Sequence, residues 1–148
     1  MLKNRVISEL KNQLKLRLET YSQAIKDVQD SAQNETKSSA GDKYETARSM
    51  GQMELGMHQS QYHKVKLDLV NLEQIEKLDM KNYVSDGCLI RTDKGYYLIA
   101  ISFGKLIVDG FEVFVLSANT PFAKNILMKK VGEDFEFNNI VYTIETIG

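Results

Sequence analysis

Residues 3–33 contain neither glycine nor proline, and their apolar positions advance in steps of three and four through Ile7, Leu10, Leu14, Leu18, Tyr21, Ile25, Val28 and Ala32. That spacing is the pattern of a helix with one face used as a seam. Lys, Glu, Gln, Asn and Asp fill the other faces. A helix of roughly 30 residues is ~45 Å long at ~1.5 Å per residue, more than a small domain can cover. Such a helix needs a partner helix.

The partner follows at once. Between Asn34 and Gly41 the periodicity stops, and Ser, Thr, Asn and Gly cluster as they do in loops. A second helix is predicted from about Lys43 to Leu78, with its seam through Tyr44, Ala47, Gly51, Leu55, Tyr62, Val65, Leu69, Leu72 and Ile75. A short loop between two such helices makes them antiparallel. Folding about Ser38 sets Ala47 and Gly51 opposite Val28 and Ile25, and Val65 opposite Leu10. Asp42-Lys43-Tyr44-Glu45 reads as a capping box, with both acids at the positive end of the helix dipole.

Gly51 and Gly56 each cost roughly 1 kcal/mol relative to Ala inside a helix. Gly51 falls on the seam, where a missing side chain lets two backbones approach. Met50, Met53 and Met57 form a stripe to one side, which either widens the seam or offers an adaptable apolar contact surface. His58 and His63 are five residues apart, a spacing that does not stack them as a metal pair, so both are expected in structural or surface roles.

The pattern then changes. Residues 79–86 read as a linker, and residues 87–148 as short β-rich runs. Cys88 to Ile90 and Tyr96 to Ile101 flank a turn at Asp93-Lys94-Gly95; Leu106 to Val108 and Phe111 to Leu116 flank Asp109-Gly110, a strong hairpin signal. Phe135 to Phe137 and Ile140 to Ile144 flank Asn138-Asn139. One helix interrupts the strands: Thr120 suits an N-cap, Pro121 the first helical position, Phe122 to Lys130 the body, and Gly132 the exit. The fold class is therefore α+β: an antiparallel coiled-coil hairpin over residues 1–78 with its tip at 34–42, then a small antiparallel sheet with one short helix.

Composition limits the function. The 148 residues are 43% hydrophobic and 26% charged with a net charge of −1, which does not suit nucleic-acid binding over the whole surface. Cys88 is the only cysteine, so no internal disulfide forms, and no Cys/His cluster has zinc-ligand spacing. The first residues carry a charge every few positions, unlike a signal peptide or a membrane span. A cytoplasmic location is expected. No nucleophile–base pair or phosphate-binding glycine loop is visible.

Three segments carry a resemblance. Asp42-Lys43-Tyr44-Glu45-Thr46-Ala47-Arg48, Ser117-Ala118-Asn119-Thr120-Pro121-Phe122-Ala123-Lys124 and Lys129-Lys130-Val131-Gly132-Glu133 look like stretches of the Gre-type transcription elongation factors of bacteria, in the same order along the chain. The resemblance implies an FKBP-like sheet domain that binds bacterial RNA polymerase, and a hairpin inserted through the secondary channel. Tip acids would then share magnesium with the polymerase, which cuts its own backtracked transcript; the protein binds no cofactor alone and is expected to be a monomer. Closely placed carboxylates suit that role because a hard cation takes oxygen ligands.

At the tip the sequence departs from the family pattern. Registered on Tyr44, the two family acids are Lys37 and Ala40 here, and the acids nearby are Glu35, Asp42 and Glu45. Asp42 and Glu45 keep the three-residue spacing; they either cap the helix or serve the active site with Glu35. Whether cleavage is stimulated or blocked stays open. Ser117, Asn119, Thr120, Pro121, Phe122 and Lys124 are the candidate polymerase contacts, because the family-like motif lies there. Two other readings stand beside this one. One is a non-catalytic coiled-coil interaction module. The other is a prolyl isomerase of the FKBP type, which needs an aromatic-lined pocket; Phe111, Phe114, Tyr97 and Phe135 sit in strand patterns and are expected in the core.

Overall fold

The computed structural model describes the backbone of residues 2–35 and 41–148, and the side chains of all of these but 32–35, 41–45 and 47. Two long helices come first, α1 over Leu2–Glu35 and α2 over Gly41–Glu76. They pack as a hairpin. Six strands and a short helix follow: β1 Leu89–Thr92, β2 Gly95–Ile99, β3 Gly104–Val108, β4 Phe111–Leu116, α3 Pro121–Ile126, β5 Asp134–Phe137 and β6 Ile140–Ile147. The chain divides into two compact units, one of residues 1–11 with 70–148, the other of residues 12–69. Among the described residues no helix is long and apolar enough to cross a membrane.

The unit of residues 12–69 is the middle of the hairpin. On α1, Leu14 is buried and Leu18, Tyr21, Ile25 and Val28 are half-buried, as the spacing predicts. On α2, Gly51, Leu55, His58, Tyr62, Val65 and Leu69 are buried or half-buried, and their steps alternate four and three. His58 thus occupies a seam position that an apolar pattern passes over. The register differs from folding about Ser38. Ile25 shares a groove with Gly56, Gln59 and Ser60, and Arg17 lies near enough to Asp68 to act on its carboxyl. In the other unit Lys11 pairs with Glu76, so Val65 is not the partner of Leu10. The shift is about ten residues, nearly three helical turns. A heptad seam looks the same after a seven-residue slide, so periodicity fixes the seam and leaves the register to individual contacts. Ala32, Tyr44 and Ala47, expected on the seam, and residues 36–40 of the expected tip at 34–42 lie outside the described residues.

The other unit holds the ends of both helices and the sheet. Its strand order is β3-β4-β2-β1-β6-β5. All neighbours are antiparallel except β2 and β4, which run parallel with Tyr97 beside Phe114. The expected all-antiparallel order fails there because β3 crosses to the edge and β4 returns into the gap between β3 and β2. Three tight hairpins close where the sequence announces turns, at Asp93-Lys94, Asp109-Gly110 and Asn138-Asn139. Asp109-Gly110 and Asn138-Asn139 have positive φ at both central residues, 51° and 82° in one and 52° and 64° in the other, the twist that two-residue hairpins need.

Each face of the sheet carries a buried cluster. On one, Ile90, Ile99, Phe135 and Ile144 pack with Ala123 and Ile126 of α3. On the other, Leu98, Leu106, Val108, Val113 and Val115 are buried, as are Val6, Leu10 and Leu72 of the helix ends in the same unit. Arg5 reaches the hairpin carboxylate of Asp109 at 3.1 Å.

α3 begins as predicted. Thr120 Oγ1 accepts from Ala123 N at 3.2 Å, and Pro121 is the first residue. It ends at Ile126, four residues short of the expected Lys130. The cause is tertiary: Met128 N donates to Val84 O and Val84 N donates to Lys129 O, both at 2.8 Å, which pulls this backbone out of the helix. Met128 takes a φ of 73°. The segment 79–86 is therefore built into this unit through Val84, which belongs to the core.

Glycine substitutions separate the two units. At Gly87 φ is +85°, and an added Cβ would stand 2.7 Å from Cγ2 of Ile75. At Gly56 an added Cβ meets nothing within 4 Å. Gly87→Ala should destabilise by about 1–3 kcal/mol through strain and overpacking, and Gly56→Ala should stabilise the helix by up to ~1 kcal/mol. Urea denaturation of both variants checks the opposite signs.

Candidate functional site

Strand periodicity organises the sheet face that carries α3. In β4, Phe111, Val113 and Val115 point one way and Glu112, Phe114 and Leu116 the other. Val113 and Val115 are buried, while Phe114 is 42% exposed. In β3 the same alternation puts Lys105 and Ile107 beside Phe114 and Glu112, the cross-strand partners being Lys105 with Phe114 and Ile107 with Glu112. Ile107 is 61% exposed. The Lys105 ammonium and Glu112 carboxylate pair at 2.7 Å across the strands.

Aromatic rings continue this surface inward. Tyr97 stacks on Phe114 with centroids 5.8 Å apart and meets Phe122 at 4.7 Å. Phe122, on the first turn of α3, also packs edge-on against Phe135, Phe137 and Tyr142 at 5.3–5.6 Å. The result is a shelf running from the open β3 edge through Ile107, Phe114 and Tyr97 to Phe122. α3 is too short to cover its outer half. Burial, with the neighbouring Tyr142 as the second cause, pushes the Tyr97 phenol up to about 12.

The six residues singled out from the sequence sort into two groups. Ser117 and Thr120 build the approach to α3: Thr120 Oγ1 donates to Ser117 O at 2.9 Å, and Ser117 Oγ accepts from Asn119 N at 3.1 Å. Asn119, Pro121 and Lys124 are exposed around that turn, and Phe122 is half-buried at the inner end of the shelf. The structure thus joins this turn to residues the sequence reading assigned to the core. Phe135 is indeed buried and Tyr97 half-buried, but Phe111 and Phe114 are exposed. Glu112 and Lys105 were the available signal, since the face they share must meet water, and Phe114 and Ile107 share it.

The hairpin acids sit apart from this shelf in sequence. Glu35 is the last residue of α1, and Asp42 and Glu45 lie in the first turns of α2. Their side chains, and with them the capping box and any metal arrangement, lie outside the described residues. Among the described residues no group of three or more His, Cys, Asp or Glu could hold a metal ion. His63 is exposed, and His58 is half-buried with Nε2 3.6 Å from a Glu54 oxygen. Cys88 is buried, and burial raises its thiol pKa.

No family model matches the sequence, and comparison with curated proteins finds no match.

Because Tyr97 titrates above its unfolded value of ~10, the unfolded chain loses that proton first, and stability falls as pH rises from about 10 towards about 12. Tyr142→Phe removes the second cause of the shift and should move the Tyr97 phenolate titration down towards 10, with burial still holding it above. Ultraviolet difference titration of the native protein and the variant reads this directly.

Proposed function

We propose that the chain is a Gre-like factor that binds bacterial RNA polymerase through its sheet domain and inserts its hairpin tip into the secondary channel. The observation that carries the reading is the pairing of two architectures in one chain. Helices of 34 and 36 residues form a hairpin, and a six-stranded sheet follows whose one helix starts at the family-like Thr120-Pro121. A helix of that length spans ~50 Å, enough to carry a polar tip deep into a channel.

On this reading the sheet domain docks through the shelf of Ile107, Phe114 and Phe122 together with the turn at Ser117, Asn119, Thr120, Pro121 and Lys124. Apolar anchors ringed by polar groups are where binding energy concentrates. The chain supplies no chemistry of its own. Glu35, Asp42 and Glu45 are the acids available to a magnesium ion shared with the polymerase, and the hard cation would take carboxylate oxygens. Lys37 and Ala40 stand where the family has acids, so modulation of cleavage, in either direction, is the function proposed. The protein acts as a monomer in the cytoplasm.

The test is a transcript-cleavage assay on a stalled, backtracked bacterial elongation complex with magnesium. Stimulation that disappears in Asp42→Ala or Glu45→Ala would give the tip acids an active role. Competition with an authentic Gre factor without stimulation would make the protein a channel-occupying modulator. Absence of both sinks the reading and leaves a coiled-coil interaction module, a second reading that the exposed methionines of α2 favour. Phe114→Glu, an exposed position, should weaken polymerase binding by about tenfold or more at unchanged fold, measured by equilibrium binding to core polymerase.

A further inference from the structure

The sheet has two outer strands, β5 and β3, and they are finished differently. β5 turns into β6 at Asn138-Asn139, which makes Phe137 and Ile140 a hydrogen-bonded pair and, two residues on, Phe135 and Tyr142 another. The backbone groups of Asp134 and Glu136 then point away from the sheet. That edge is guarded. Asp134 and Glu136 are exposed acids, and Asn125 Nδ2 of α3 donates to Glu136 O at 2.6 Å. Charges and covered backbone groups keep a foreign strand off an edge.

β3 is not guarded in this way. Its turn at Asp109-Gly110 makes Val108 and Phe111 a bonded pair, followed by Leu106 with Val113 and Gly104 with Val115. The alternation agrees with Leu116, whose O faces the other way and accepts from Ala100 N at 2.8 Å. The N–H and C=O of Lys105 and Ile107 therefore point outward from the open edge. No proline interrupts the strand, and its one charge, Lys105, is paired with Glu112 of β4. Ile107 is 61% exposed beside it. Outward strand groups of this kind are complementary to another extended strand.

A second copy of β3 fits the edge. Set antiparallel about a two-fold axis at Leu106, Lys105 of each copy stands opposite Ile107 of the other. Four main-chain hydrogen bonds then use every outward group of those two residues. The charges match as well. Lys105 faces an isoleucine and not a second lysine, and Glu112 of the second copy lies on the same sheet face two strand spacings away, roughly 10 Å, which the two long side chains span together.

We infer that the chain self-associates through β3 as an antiparallel two-fold pair, continuing the sheet across two copies. A five-residue edge buries well under the ~800 Å² per partner of a stable dimer, so the pair dissociates on dilution. It covers the outer end of the aromatic shelf at Ile107. On the polymerase reading the dimer is thus a reserve that opens before the monomer docks. That consequence rests on the polymerase reading; the pairing does not.

The experiment is sedimentation of the full chain from micromolar to millimolar concentration, on wild type, Ile107→Pro and Ile107→Lys. Proline removes an N–H that the sheet itself does not use, and lysine sets a like charge beside Lys105 of the second copy. Both variants should keep the circular dichroism of wild type. The expected result is a concentration-dependent dimer whose dissociation constant rises about tenfold or more in each variant. Amide exchange of wild type should slow at Lys105 and Ile107 as concentration rises, while Leu106 and Val108 are slow throughout. If the proline variant loses its fold, the lysine variant and the amide exchange decide. A monomer at every concentration, or a dimer that the variants leave intact, overturns the inference and leaves the polymerase reading standing. Lack of polymerase binding by wild type sinks that reading and leaves the dimer.

Discussion

An α-helix with a single apolar stripe has almost no stability alone in water, because its nucleation is costly and its apolar face stays wet. α1 and α2 exist only as each other's solvent shield, and every other feature depends on that seam. It runs through Leu14, Leu18, Tyr21, Ile25 and Val28 on one side and Leu55, Tyr62, Val65 and Leu69 on the other. At the helix ends the same logic extends to the sheet unit, where Val6, Leu10 and Leu72 are fully buried with the strand face opposite α3. Lys11 and Glu76 then select one register among those the repeat allows. A single charged pair is a weak source of stability, yet it suits this task, since a slide of one heptad would leave both charges without partners.

The helices, the hairpin turns and the N-cap of α3 were legible because each depends on local chemistry. Helical spacing, Asp-Gly and Asn-Asn turns and Thr-Pro act over a few residues. What escaped depends on contacts distant in sequence. The register could not follow from a repeat that is degenerate by seven, and His58 hid a seam position behind a polar name. α3 stops early because Val84, some forty residues upstream, takes the backbone hydrogen bonds of Met128 and Lys129. The parallel pairing of β2 with β4 is a choice of topology that strand patterns do not encode. Of the candidate site, the turn at Thr120 was visible as a motif. Phe114 was not, because an aromatic residue in a strand is ordinarily core, and only the face it shares with Glu112 and Lys105 tells otherwise.

Exposed apolar surface has a cost that points away from folding. Ile107 and Phe114 on the sheet, and Met50, Met53 and Met57 on α2, add little to the burial that holds their units together. Gly51 and Gly56 weaken the helix that carries them. These features agree with one another and conflict with what stability alone would select. Such local conflicts are expected where a surface is kept for a partner.

On the proposed reading the shelf and the hairpin work jointly. Docking of the aromatic shelf converts hairpin entry from a second bimolecular event into an intramolecular one, governed by an effective concentration that reaches about the millimolar range for short tethers. A tip too small to hold a partner by itself then suffices, because the loss of translational freedom is already met by the first contact.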